Sequence, residues 1–293
     1  MTLSVTQIHK HFVGEATGVD LSKPLSAADV DAINAAMNQY GVLVFHNQPL
    51  TQTQQLDLAK SFGPLDIGFK RVKKQADRME HVELADISNV SADGAPVERT
   101  DRKLVSNIAN QLWHSDSSFQ KPAARYSMLA AVRVPEEGGN TEFADLRAAY
   151  DALPDAMKAE IDGLQAEHFA LHSRFLLGDT EYTDEQKAMM PPVTWPLVRT
   201  HAGSGRKALF GGVHACAIEG MTLAEGRMLL LDLLEHATQP EFVYAHKWAP
   251  NDLVIWDNRC MLHRGRRFDV TKPRELRRAT TLDVEPSEMD MAG

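Results

Sequence analysis

Trp113-His114-Ser115-Asp116-Ser117-Ser118-Phe119 (residues 113–119) sets a histidine and an aspartate one residue apart, and on an extended backbone such a pair projects from one face. Both side chains can then reach a single ion. The same spacing also occurs at ordinary polar turns and strand ends, so it gains meaning only with a partner elsewhere. Residues 251–264 supply one: Asn251-Asp252-Leu253-Val254-Ile255-Trp256-Asp257-Asn258-Arg259-Cys260-Met261-Leu262-His263-Arg264 is an apolar strand, a polar turn and a second histidine. Such distant segments meet when short strands are folded into a sandwich or barrel, so the fold reading and the site reading depend on each other.

The strand pattern supports that architecture. Val42-Leu43-Val44-Phe45 is an unbroken apolar run of strand length, as expected of a strand buried on both faces, and Tyr126 to Val134 is another. Residues 3–25 read as short strands punctuated by Gly14, Gly18 and Pro24. The sequence Pro196 to His201, then Gly203-Ser204-Gly205, then Ala208-Leu209-Phe210 reads as strand, tight turn, strand; the glycines lack the spacing and the following helix of a phosphate loop. Phe242 to Trp248, Asp252 to Trp256 and Arg277 to Leu282 supply the last strands. Helices are expected at 27–40 with Ser26 as cap and Gly41 as stop, at 51–62 with Thr51 as cap, at 145–153, at 154–164, and at 222–236 with a leucine stripe. The polar, charged segment from Asp66 to Val105 reads as mobile, either a lid or a solvated excursion. Many short strands with a few helices give the expected class: mainly β with flanking helices, a double-stranded β-helix (jelly roll). No repeat or linker divides the chain, so one domain over 1–293 is expected.

Composition narrows the function. The chain has 293 residues, 43% hydrophobic and 24% charged, ordinary for a globular protein. A formal net charge of -9 without a long Lys/Arg run argues against nucleic acid as a partner. The arginine clusters 264–267 and 274–278 are therefore read as anion sites. Two cysteines, Cys216 and Cys260, with no Cys-x-x-Cys spacing imply neither a disulfide framework nor a zinc knuckle. No stretch has the length of a membrane span and the N-terminus has no signal architecture, so a cytoplasmic protein is expected. His168 and His172 have no carboxylate at useful spacing and are read as surface or packing residues, with Arg174 near them in a stretch of mixed polarity, and the roles of His201 and His214 stay open.

Two histidines and one carboxylate on three corners of an octahedron are the ligand set of non-haem Fe(II) oxygenases, with positions left for a co-substrate and dioxygen. Arg274 and Arg278 follow His263 and share one face if extended. With these residues and the segments GVDLSKPL, YGVLVFHNQPLTQTQQ, SFGPL, NQLWHSDSSFQKPAARYSML, GGNTEFADLRAAYDALP and WDNRCMLHRGRRFD, the chain resembles the Fe(II)/2-oxoglutarate-dependent dioxygenases of the taurine dioxygenase (TauD/TfdA) group over nearly its whole length.

The resemblance implies roles residue by residue. His114, Asp116 and His263 would be the iron ligands; Thr141 and Arg274 would hold the distal carboxylate of 2-oxoglutarate; Arg278 would grip the anionic end of the primary substrate. Asn110 and Arg71 would lie along the substrate pocket. The taurine enzyme's His and Tyr are replaced by Gly68 and Arg71, which disfavours a small sulfonate. The implied reaction uses Fe(II), 2-oxoglutarate and O2 to hydroxylate a small anionic aromatic substrate. An aryloxyacetate such as 2,4-dichlorophenoxyacetate would react next to its ether oxygen, giving a phenol, glyoxylate, succinate and CO2. The alternatives are another small aromatic carboxylate, a sulfonate, or a non-catalytic jelly-roll metal-binding protein; a homo-oligomer is left open.

Overall fold

The computed structural model describes residues 2–67 and 78–284. Arg71 and Gly68, expected along a substrate pocket, lie outside the described residues. The fold is the expected jelly roll. A seven-stranded sheet runs in the order Ser4–Gln7, Gly14–Thr17, Val42–Phe45, Leu253–Asp257, Ala124–Arg133, Glu275–Leu282 and Ala85–Ser88. A smaller sheet has Thr141–Asp145 at its centre, flanked by Val243–His246 and Met261–Gly265.

Side-chain alternation explains why the central strands are apolar throughout. Val42 and Val44 point into the core that also holds Phe143, Leu146 and Trp256, while Leu43 and Phe45 point into a second core with Ile33, Met37 and Leu56 from the covering helices. Leu253–Asp257 does the same, with Val254 and Trp256 on one side and Leu253 and Ile255 on the other. A strand wedged between two apolar layers cannot alternate polar and apolar residues, and this sandwich is what continuous runs report.

The helix Ala27–Tyr40 starts at Ser26, whose hydroxyl accepts from the Asp29 amide while Asp29 answers with a capping box; Gln52–Lys60 starts the same way from Thr51 and Gln54. Leu223–Ala237 is likewise capped by Thr222. The other expected helices are shorter, Leu146–Ala152 and Asp155–Ile161. The last strand begins at Glu275, two residues before the expected start.

The segment read as mobile contains, in its described part, the edge strand Ala85–Ser88 and the helix Arg102–Asn107. Charge pairs hold both. Lys103 Nζ donates to Asp86 Oδ2 at 2.6 Å and to Ser88 Oγ at 2.9 Å, and Arg78 bridges Asp86 and Glu275. Composition misleads here because an edge strand pinned by ion pairs is polar for the same reason a loop is.

Gly41 closes the first helix with φ of 70°, and a Cβ there would sit 2.2 Å from Met261 Cε in a fully buried setting. Gly41→Ala combines the left-handed backbone with overpacking, so it should destabilise the fold by about 2–4 kcal/mol in urea unfolding. A shift well under 1 kcal/mol would show that this turn relaxes freely.

Candidate active site

His114 and His263 are joined before any ligand is considered. The His114 amide donates to the His263 carbonyl at 3.1 Å and the His263 amide donates to the His114 carbonyl at 2.8 Å, an antiparallel bridge at the mouth between the sheets. Their rings lie 4.1 Å apart between centroids. His114 Nδ1 faces the Leu112 carbonyl at 2.7 Å, which places the proton on Nδ1 and leaves Nε2 as a lone-pair donor, 3.9 Å from Asp116 Oδ1. His263 Nε2 lies 3.8 Å from Asp116 Oδ2. Its Nδ1 has no hydrogen-bond partner among the described residues, so packing orients the ring, between His114 at 4.1 Å and Trp256 at 4.5 Å.

All three residues are buried and offer ligand atoms within 4.8 Å of one another. Burial lowers the pKa of both histidines, His263 far below its ordinary value, so both present neutral imidazoles. For Asp116, burial is the largest influence and opposes ionisation. Arg278, the two histidines and Ser127 overcome it and hold the carboxyl down to about 2. Two neutral imidazoles and one carboxylate on a single side fit Fe(II) or a similar divalent ion.

Asp116 is held from behind by groups the sequence did not flag. Ser127 Oγ donates to Asp116 Oδ2 at 2.7 Å; Asn258 Nδ2 donates to Ser127 Oγ at 3.0 Å; Asn258 Oδ1 accepts from the Asp116 amide at 3.0 Å and from Trp256 Nε1 at 3.1 Å. The one available signal was Ser127 itself, a polar residue inside an apolar core strand, which requires a buried partner.

Two chambers meet at this cluster, and His114, Asn110 and Arg278 line both. The first, about 740 Å³, contains Thr141 and Arg274. Arg274 is buried and has no acidic partner among the described residues; its Nε and Nη2 donate only to the Gly139 carbonyl, at 3.2 and 2.9 Å. Burial alone pushes its pKa down to about 10. A Cβ at Gly139, where φ is +68°, would lie 2.9 Å from Arg274 Nε, so only glycine lets the carbonyl and guanidinium meet this way. Asn89, also missed in the sequence, accepts from the Arg274 amide at 2.7 Å and donates to the Val270 and Lys272 carbonyls, fixing the approach to Arg274. Thr141 Oγ1 accepts from Trp248 Nε1 at 3.0 Å.

The second chamber, about 820 Å³, adds Phe119, Ser173, Arg174 and His214. Arg278 Nη1 donates to Asp116 Oδ1 at 2.5 Å while its Nε, buried, has no partner among the described residues. His214 faces the chamber, edge-on to Phe119 at 5.0 Å, and burial holds its pKa well below normal. Arg174, assigned no role from the sequence, also lines it, placed there by the short helix His172–Leu176. His168 is a packing residue, fully buried against Phe210. Of the arginine clusters, Arg264 is taken up by Glu142 at 2.7 Å, and Arg277 donates to the Leu50 carbonyl.

His201 turns away from the site, bonded to Ser204 and to Asp257. With Cys260 these residues form a second group of close donor atoms. A metal does not fit there. Asp257 is already gripped by Arg259 at 2.9 and 2.7 Å, and burial pushes the Cys260 thiol far up, away from the thiolate.

The profile of the taurine catabolism dioxygenase TauD, TfdA family matches residues 4–280. The chain is 59% identical to the alpha-ketoglutarate-dependent 2,4-dichlorophenoxyacetate dioxygenase of Cupriavidus pinatubonensis (strain JMP 134), covering 97% of this chain and 99% of that protein. It is 40% identical to the (S)-phenoxypropionate/alpha-ketoglutarate-dioxygenase of Sphingobium herbicidovorans, over 90% of this chain and 89% of the relative. Among solved structures, AAD-2 in complex with Mn(II) and N-oxalylglycine superposes with a TM-score of 0.89 at 49% identity, covering 98% of each chain.

If Asn258 orients Asp116, Asn258→Ala should weaken Mn(II) affinity by about 10- to 100-fold, the usual cost of losing a group that supports a ligand. Titration followed by the free-Mn(II) EPR signal measures it, and wild-type affinity in the variant would remove Asn258 from the account.

Proposed function

The chain belongs to the taurine catabolism dioxygenase TauD, TfdA family, and from that premise we propose that it is an Fe(II)- and 2-oxoglutarate-dependent dioxygenase acting on aryloxyacetates. In this reading His114, Asp116 and His263 hold the iron. The observation that carries it is the buried Arg274 guanidinium, without an acidic partner among the described residues, in one chamber with Thr141 and with the histidines of the His/Asp/His cluster. A desolvated cation of this kind is costly until an anion reaches it, and the planar fork suits a carboxylate. We assign the distal carboxylate of 2-oxoglutarate to Arg274 and Thr141, with its oxoacid end directed at the cluster.

Bound iron, with dioxygen and 2-oxoglutarate, supplies the oxidation that places a hydroxyl on the substrate and releases succinate and CO2. The protein's residues determine which carbon is presented. Arg278, shared by both chambers, holds the substrate carboxylate through the donors it does not give Asp116, which sets the carbon next to the ether oxygen over the cluster. Hydroxylation there yields a hemiacetal that collapses to a phenol and glyoxylate. The aryl ring extends into the second chamber, toward Phe119 and His214. Asn110 lines both chambers and is assigned to the substrate pocket. Enclosure excludes water from the reacting carbon. Cytoplasmic placement is part of the same proposal, supported by two buried free cysteines.

A non-catalytic metal-binding jelly roll would have no use for a carboxylate cradle opening onto the metal cluster. Succinate release should be strong with aryloxyacetates and weak with taurine or alkyl sulfates; turnover confined to sulfonates or sulfates would defeat the substrate assignment. Arg278→Leu should raise KM for the aryloxyacetate by about 10- to 100-fold, the loss of a charge-assisted hydrogen bond, with little change in KM for 2-oxoglutarate. Arg274→Leu should show the opposite split. If both variants moved the same KM, the two-chamber assignment would fail.

A further inference from the structure

Thr141 carries one O–H and two lone pairs, and the direction of that single proton decides whether it can serve an anion in the first chamber. Trp248 is the residue that settles the direction. Its indole Nε1–H donates to Thr141 Oγ1 at 3.0 Å, with both side chains buried. An indole N–H cannot accept, so the Thr141 proton cannot point back at it. With one lone pair occupied from the Trp248 side, the proton is left to face the chamber that Thr141 shares with Arg274.

The indole is itself fixed. His246, the register partner of Thr141 across the small sheet, stands edge-on to the Trp248 ring at 4.5 Å and 87°. His246 Nε2 lies 3.1 Å from Asp252 Oδ2, which also accepts from the Ala249 amide at 2.9 Å; Asp252 Oδ1 meets His46 Nδ1 at 2.7 Å. Asp252 is thus a buried knot that ties both ends of the turn carrying Trp248.

We propose that Trp248 is a positioning residue for the oxoacid co-substrate: it presets the Thr141 hydroxyl as a donor to the distal carboxylate, so that the cradle is ordered before the anion arrives. This rests on the assignment of Arg274 and Thr141 to 2-oxoglutarate. A preset donor avoids the cost of ordering a rotor on binding, which is where preorganised sites gain affinity.

The test is Trp248→Phe, which keeps an aromatic ring and removes the N–H. Under anaerobic conditions with Fe(II), 2-oxoglutarate binding is read from its visible charge-transfer band. The variant should bind about 5-fold more weakly, the size of one neutral hydrogen bond. The rate at saturating 2-oxoglutarate and KM for the aryloxyacetate should stay within about 2-fold, because a group that acts only on co-substrate binding leaves the later steps alone. A general loss of packing would lower the melting temperature without this selective split. The double-mutant cycle with Thr141→Val separates the two assignments. If Trp248 acts through Thr141, the indole N–H has no effect once Thr141→Val is in place, whereas additive losses would overturn the proposal, as would unchanged 2-oxoglutarate affinity in Trp248→Phe. Wild-type affinity in Thr141→Val alone would instead sink the underlying cradle assignment. Should Trp248→Phe fail to fold, His246→Phe keeps a ring against the indole but drops the bond to Asp252. It should weaken 2-oxoglutarate by about 2-fold through a looser indole, and no change there would also overturn the proposal.

Discussion

The paired backbone hydrogen bonds between His114 and His263 are the constraint on which the rest of the molecule depends. They join a loop entering the large sheet to a strand of the small one, at the open end of the sandwich. Each imidazole is thereby delivered by the main chain, with little left to side-chain freedom. Asp116 follows two residues after His114 and needs only a local turn, with Ser117 at φ 48°, to face both rings. The cores on either side of the large sheet hold the two sheets at the separation this bridge requires.

Around that point the protein balances charge closely although its net charge is acidic. Asp116 is neutralised by Arg278, Asp257 by Arg259, Asp145 by Arg147 and Glu142 by Arg264. Arg274 stands apart: it is buried against backbone carbonyl and the Phe268 ring. Beside these pairs the Arg274 guanidinium, without an acidic partner among the described residues, is presented to the chamber. Such a group destabilises the empty state and favours the bound one, because pairing in a low-dielectric setting recovers the desolvation cost. The supporting residues follow the same logic: Gly139, Asn89 and Trp248 each fix one atom of the cradle.

Much was legible in the sequence where physics imposes a local pattern. The continuous apolar run at Val42–Phe45 announced a strand buried on both faces, and Ser26 and Thr51 announced helix starts, because a cap must be a short hydroxyl or carboxylate beside the orphaned amides. The segment after Asp66 was misread in its described part because ion pairs at Asp86, Lys103 and Arg78 stabilise structure without leaving any periodicity. Arg174 was given no role because its chamber is made by elements far from it in the chain.

By itself the sequence determined the secondary-structure menu, the jelly-roll class and, through long matching segments, the family from which the ligand set and the anion-binding arginines are proposed. These are properties of residue type and spacing. Only the tertiary structure decided that Arg278 faces Asp116, that Ser127 and Asn258 stand behind the carboxylate, that His214 enters a chamber while His201 does not, and that Trp248 governs the Thr141 hydroxyl. Each of these depends on the direction of a polar atom between segments distant in sequence. A chain specifies such directions only once packing has fixed the rotamers, so no local pattern can carry them.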